Sequence, residues 1–177
     1  FTGIEDFLNL IYLDCSNNNS MTSLDLSQNT ALKYLNCSAF DFMGGLSPSG
    51  NLSNLNISQN NLLETLICDF NPLTNLNVSQ NIALTYLSCK TVGLSSLDLS
   101  QNIALTYLSC NMNGLSSLDL SQNISLTSLN CADNQLQILD LSQNIGLVNL
   151  DCGNDVWGSF NITNQLTNLD LSQNINL

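Results

Sequence analysis

The sequence predicts an all-β solenoid with parallel strands on both sides of each coil, a short capping helix at its N-terminus and little curvature. Three observations carry that expectation. The tripeptide Ser-Gln-Asn occurs seven times, starting at Ser27, Ser58, Ser79, Ser100, Ser121, Ser142 and Ser172, and four of the six intervals are 21 residues. A fixed period of that length marks stacked repeats. Each period holds two short segments that alternate apolar and polar, as in Leu108-Ser109-Cys110 and Leu118-Asp119-Leu120, the pattern of a strand with one buried face. No stretch between them is long enough for a helix.

At the N-terminus, Thr2-Gly3-Ile4-Glu5 fits a capping box, and Ile4, Phe7, Leu8 and Ile11 fall at helical spacing. Residues 1–9 are therefore expected to cover the first coil. Residues 10–177 then form about seven coils of a single domain, with insertions near 38–51 and 153–165.

One period reads Leu105 to Asn123, with Ile124 and Ser125 completing it. Its first half is Leu-x-x-Leu-x-Cys-x-x-Asn and its second is Leu-x-x-Leu-Asp-Leu-Ser-Gln-Asn. Residues Leu105 to Leu115 resemble the leucine-rich repeat pattern Leu-x-x-Leu-x-Leu-x-x-Asn-x-Leu, with Cys110 at the third leucine. The whole unit is similar to the nested 21-residue bacterial class called IRREKO repeats. That resemblance implies a solenoid and a binding role, with no particular ligand. Leucine-rich horseshoes bend because a wide helical side opposes a narrow strand side; strands on both sides leave little curvature.

The inward columns follow from the register. Leu87, Leu108, Leu129 and Leu150 line one wall, and Leu97, Leu118, Leu139 and Leu169 the other. Ile82, Ile103, Ile124, Ile145 and Ile175 are expected to fill the turn after Ser-Gln-Asn. Asn81, Asn102, Asn123 and Asn144 recur at that bend, where a short amide can satisfy backbone groups that the turn removes from the sheet. Cys15, Cys37, Cys68, Cys89, Cys110, Cys131 and Cys152 share one inward position, as small hydrophobes in a ladder. Their odd number, the absence of any Cys-x-x-Cys pair and the absence of histidine argue against a disulfide framework or a zinc site.

Two lysines and no arginine against 14 acidic residues give a net charge of −12, which repels phosphate backbones and anionic membranes. Nucleic acid is not an expected partner, and no apolar run is long enough for membrane insertion. Without histidine, and with no nucleophile beside a base, the chain is read as non-enzymatic and free of cofactors. A uniform Asp row also lacks the differing environments that separate a general acid from a base. Phe1 is neither an initiator methionine nor the start of a signal peptide, and Leu177 opens another half-coil, so a fragment of a longer protein is expected. Family members often carry secretion signals, so the resemblance implies a secreted or cell-surface location.

The outward positions differ between the two sides. The Leu-Asp-Leu side repeats Ser96, Asp98 and Ser100, then Ser117, Asp119 and Ser121, with Asp25, Asn56, Asn77, Asp140 and Asp170 in the central row. Stacked like charges repel, so that row is either a solvated acidic face or is relieved by calcium bridging Asp98, Asp119 and Asp140. The cysteine side varies: Tyr12, Tyr34, Tyr86 and Tyr107 share a column interrupted by Thr65, Ser128 and Asn149. Exposed tyrosines offer rigid contact area to a protein or carbohydrate, or else simply pack on one another. The two insertions leave from the same edge and contain Phe40, Phe42, Trp157 and Phe160, as binding loops or as a cover for that edge. A short column of Thr85, Thr106 and Thr127 raises ice binding as a weaker reading. The expectation is a recognition or adhesion module using Tyr12, Tyr34, Tyr86, Tyr107, Phe40, Phe42, Trp157 and Phe160, with a structural spacer as the alternative.

Overall fold

The computed structural model describes residues 3–40, 48–154 and 163–177. It is a parallel β-solenoid. Strands β1 (Tyr12–Asp14), β3 (Tyr34–Asn36), β5 (Thr65–Ile67), β6 (Tyr86–Ser88), β7 (Tyr107–Ser109), β8 (Ser128–Asn130) and β9 (Asn149–Asp151) form one seven-stranded parallel sheet in that order. Their register is unshifted: Leu13, Leu35, Leu66, Leu87, Leu108, Leu129 and Leu150 stand opposite one another along the sheet. Each coil contributes a single three-residue strand because only the central Leu of each triplet points inward.

On the Leu-Asp-Leu side the pairing is uneven. β2 (Ser23–Asp25) and β4 (Asn54–Asn56) form a two-stranded parallel pair, the only ladder on that side among the described residues. Further along, coils are joined there by bonds such as Gly114 N–H to the Leu94 carbonyl at 2.7 Å and Gln135 N–H to the Leu115 carbonyl at 2.8 Å. The alternation that predicts a strand still holds, since Leu97, Leu118 and Leu139 are buried between exposed neighbours. The chain then turns at once, because each Asp captures the N–H of the Ser two residues on.

The core is a line of stacked leucines and thiols. Leu87, Leu108, Leu115 and Leu136 are fully buried, and Cys15 to Cys131 are buried free thiols, with Cys152 half-buried at the last described coil. Burial raises their pKa; Cys68 and Cys110 lie well above the usual thiol value.

The bend after Ser-Gln-Asn departs from expectation. Asn81, Asn102, Asn123 and Asn144 are fully buried, and each amide nitrogen donates to two carbonyls of the coil before it. The isoleucines that follow were expected to fill this turn but point outward: Ile82 is 57%, Ile103 59%, Ile124 60% and Ile145 58% exposed, and Ile175 is exposed as well. The turn has room inside for one of two consecutive side chains. The amide takes it because two carbonyls would otherwise be buried without donors, which costs more than leaving an isoleucine half in water.

The N-terminal cap is also smaller than expected. It is a single 3-10 turn, Ile4–Asp6, with Gly3 at φ 88° as its N-cap, and the Gly3 N–H bonds Glu5 Oε2 at 3.0 Å. Only Ile4 and Leu10 pack on the core, while Phe7, Leu8 and Ile11 are exposed. The turn works instead through its backbone: Asn29 Nδ2 donates to the Ile4 carbonyl at 2.8 Å and the Phe7 carbonyl at 3.0 Å. The cap thereby supplies the two acceptors that a preceding coil provides elsewhere.

The turn after five of the seven cysteines holds a left-handed residue: Asn17, Phe70, Thr91, Met112 and Asp133 sit two places past a cysteine with φ between 52° and 60°, and the two exceptions, Cys37 and Cys152, precede the insertions. At the first insertion Gly50 is packed so closely that a Cβ would meet Ala39 Cβ at 2.7 Å and the Asn71 side chain. At the second, Asn154 and Asn164 close the base, Asn164 N–H donating to Asn154 Oδ1 at 2.7 Å.

Candidate functional site

The outer face of the seven-stranded sheet is built from alternate residues of its short strands. Their unshifted register sets Tyr12, Tyr34, Thr65, Tyr86, Tyr107, Ser128 and Asn149 in one column. A second column holds Asp14, Asn36, Ile67, Ser88, Ser109, Asn130 and Asp151. The tyrosines stack in two pairs: Tyr12 on Tyr34 with centroids 4.3 Å apart and planes 7° apart, Tyr86 on Tyr107 at 4.1 Å and 1°. Parallel strands hold identical side chains at nearly the thickness of a ring, which explains the stacking. Tyr12 stays exposed and the other three are half-buried. Burial and the neighbouring Tyr107 hydroxyl push the Tyr86 phenol up to about 12.

The middle of this face has its own chemistry, which the sequence reading missed. Asp69, one residue beyond Cys68, accepts the Ser88 hydroxyl on both carboxylate oxygens at 2.8 and 2.9 Å and the Lys90 N–H at 2.8 Å. Burial nevertheless raises its pKa, the desolvation outweighing those bonds and the nearby Lys90 charge. The Lys90 ammonium lies 4.9 Å from the centre of the Phe70 ring. At the other end of β5, Lys33 Nζ meets Glu64 Oε1 at 2.8 Å. None of this is visible along the chain, because each contact joins residues about one coil apart.

Phe40 is exposed where the first insertion leaves the sheet. Phe42, Trp157 and Phe160 lie outside the described residues. The structure thus aligns the four tyrosines of the expected site in one column, with Phe40 at the edge beyond β3.

The opposite face is occupied by turn-making. Asp25, Asp98, Asp119, Asp140 and Asp170 each accept the N–H of the Ser two residues on, at 2.9 Å, and Asp14 on the Tyr face does the same at 3.0 Å. That bond holds each carboxyl below its usual pKa. Asn56 and Asn77 make the same turn without a charge. Among the described residues no group of three or more acidic or cysteine side chains is arranged to hold a metal, and no helix is long and apolar enough to cross a membrane.

Solved structures share this architecture. The functional domain of InlJ from Listeria monocytogenes, described as including a cysteine ladder, superposes with a TM-score of 0.82 at 37% identity over 98% of this chain and 34% of its own. A leucine-rich repeat protein from Leptospira interrogans gives 0.81 at 26% identity over 98% of this chain and 43% of its own. This chain has the leucine-rich repeat solenoid fold. The internalin InlF of Listeria monocytogenes, at 18% identity and a TM-score of 0.81 over 98% of this chain and 48% of its own, agrees in fold. The leucine-rich repeat solenoid described here therefore spans between a third and a half of the length of these proteins. No protein-family profile and no curated protein sequence matches the chain.

Proposed function

We propose that the outer face of the seven-stranded sheet is a protein-recognition surface, in a nested 21-residue leucine-rich repeat segment of a secreted or cell-surface bacterial protein. One observation carries this reading. The invariance of the Leu-Asp-Leu side has a structural cause, its carboxylates being used in turns, and the Asp14 to Asp151 column of the Tyr face makes the same turns in part, whereas the Tyr12 to Asn149 column beside it makes none and changes from coil to coil. The likeness to InlJ, with its cysteine ladder, supports it. The stacking favours protein over carbohydrate, because one face of each tyrosine ring is already covered by its partner in the pair. Neither a catalytic role nor a cofactor is part of this reading.

The test is selection of a random displayed-peptide library on the folded domain. Binders that are lost on a Tyr12→Ala, Tyr86→Ala, Tyr107→Ala triple variant with unchanged circular dichroism are the expected result. Binders that survive in that variant but vanish with Asp98→Ser, Asp119→Ser and Asp140→Ser would move recognition to the other side and end the proposal.

A further inference from the structure

The bend after Ser-Gln-Asn carries a regular column on its outside. Ile82, Ile103, Ile124 and Ile145 stand more than half exposed, one coil apart, on a stack whose register does not shift. A coil spacing of about 4.8 Å makes them a straight apolar ridge. The next residue of each coil is small, Ala83, Ala104, Ser125 or Gly146, so a shallow trough runs beside the ridge. On the far side of that trough, the hydroxyls of Thr85, Thr106 and Thr127 are bonded to carbonyls of the coil before.

Ridge, trough and charge change together along the solenoid. The eight residues Ser79 to Tyr86 contain no charged side chain, and neither do Ser100 to Tyr107, Ser121 to Ser128 or Ser142 to Asn149. In the two coils before them Thr30 and Asn61 stand in place of isoleucine, and exposed Leu62 occupies the trough position of the second. There Lys33 and Glu64, paired at 2.8 Å, take the position of the threonines. On a chain of net charge −12, the ridge thus lies on a neutral strip that stops at an ion pair.

This shape selects a second copy of the chain as the occupant. A ridge beside a trough is self-complementary: turned about a two-fold axis, each ridge enters the other's trough, and the shared spacing repeats the contact at every coil. A partner with any other spacing meets the ridge at one or two side chains. Charge agrees, because two chains of −12 repel each other least where they meet on a strip without carboxylates. Each isoleucine offers roughly 100 Å², so four of them with the adjoining trough hide about 1,000 Å² between two copies, the lower bound for a specific contact. The association is therefore weak and reversible.

We propose that the isoleucine ridge is a homodimer contact of this protein. It stands apart from the Tyr-face reading, since Tyr107 follows Ile103 by four residues and lies outside the ridge. A dimer joined this way carries two Tyr faces, which raises avidity for a partner that repeats its epitope.

Sedimentation equilibrium of the protein from about 1 μM to about 1 mM tests the contact. A monomer to dimer equilibrium with a midpoint on the order of 100 μM is expected, tightening as salt rises from about 0.05 to about 0.5 M, because salt screens the repulsion between the two acidic chains. Ile103→Ser combined with Ile124→Ser should weaken the dimer at least about tenfold with unchanged circular dichroism. Ser125→Asp, a charge placed in the trough at an exposed site, should weaken it at least about fivefold while leaving the ridge intact. A protein that stays monomeric throughout overturns the proposal, and binding of that monomer to phosphatidylcholine vesicles would assign the ridge to a lipid surface instead. Association that runs past the dimer, or that survives in both variants, would move the contact to the end strands β1 and β9 of the sheet and overturn it equally.

Discussion

Asn102 Nδ2 lies 2.9 Å from the carbonyl oxygen of Asn81 and 3.0 Å from that of Val78, so each buried asparagine is tied to the asparagine one coil before it. The chain of such bonds starts on the cap, at Ile4 and Phe7, and runs through Asn29, Asn60, Asn81, Asn102, Asn123 and Asn144 to Asn174. It is an amide ladder parallel to the thiol ladder, and it fixes the spacing of successive bends.

Removing one rung leaves two buried carbonyls without donors. Asn102→Ala should lower stability by roughly 1–3 kcal/mol. Asn102→Asp should cost more, because an acceptor then faces two acceptors in a dry site. Urea midpoints measure both, and a loss below about 0.5 kcal/mol for the alanine variant would mean that the ladder is incidental.

The neighbouring isoleucine shows where sequence patterning fails. Ile103 follows Asn102 in the chain and is half in water. Ile103→Ser should therefore change stability by no more than about 0.5 kcal/mol, whereas Leu108→Ala, in the buried column one strand on, should cost about 2–5 kcal/mol. Equal losses would return isoleucine to the interior.

The leucine, cysteine and asparagine columns were legible in the sequence because alternation and a fixed period state which side chains face inward. The Ile column was not, because hydrophobicity predicts burial only when no neighbouring polar group needs the same space more. The extended Leu-Asp-Leu triplets were legible, while the uneven pairing was not, since the same side-chain turn follows both the paired and the unpaired triplets. The left-handed positions gave no signal either, since Asn17, Phe70, Thr91, Met112 and Asp133 include no glycine. The Asp69 cluster depends on register across coils, which a column of letters shows only once the coils are stacked in space.

The thiol ladder predicts its own inertness. The reactive form is the thiolate, and burial raises the thiol pKa, to about 11 for Cys15 and further for the interior cysteines. In the folded domain Cys152, half-buried beside exposed Asp151, should react first with a disulfide reagent such as DTNB, and Cys68, Cys89 and Cys110 only on unfolding. Rapid native-state modification of these three would show that the interior is wet. Cys110→Ser, which puts a hydroxyl where a thiol was, should destabilise by about 1–3 kcal/mol, more than Cys110→Ala relieved of any polar group.

Acid should reveal the two kinds of aspartate. Asp98, Asp119 and Asp140 have folded pKa values below their unfolded ones, so the stabilisation they give is present at neutral pH and is lost as pH falls from about 4 through the lowered values. Asp69 has the opposite sign: its ionised form is disfavoured by folding, so protonating it on the way down removes a cost instead of a benefit. Asn56 and Asn77 show that an amide oxygen makes the same turn to serine without titrating. Replacing Asp98, Asp119 and Asp140 together by asparagine should thus preserve the fold at pH 7 and flatten the fall in urea midpoint between neutral and strongly acidic solution. Asp69→Asn should raise stability at pH 7 and make that fall slightly steeper, because the gain on protonating Asp69 is gone. A triple variant as acid-sensitive as the parent would show that the Asp row contributes nothing through its charge, and that the serine N–H bonds serve only to shape the turn.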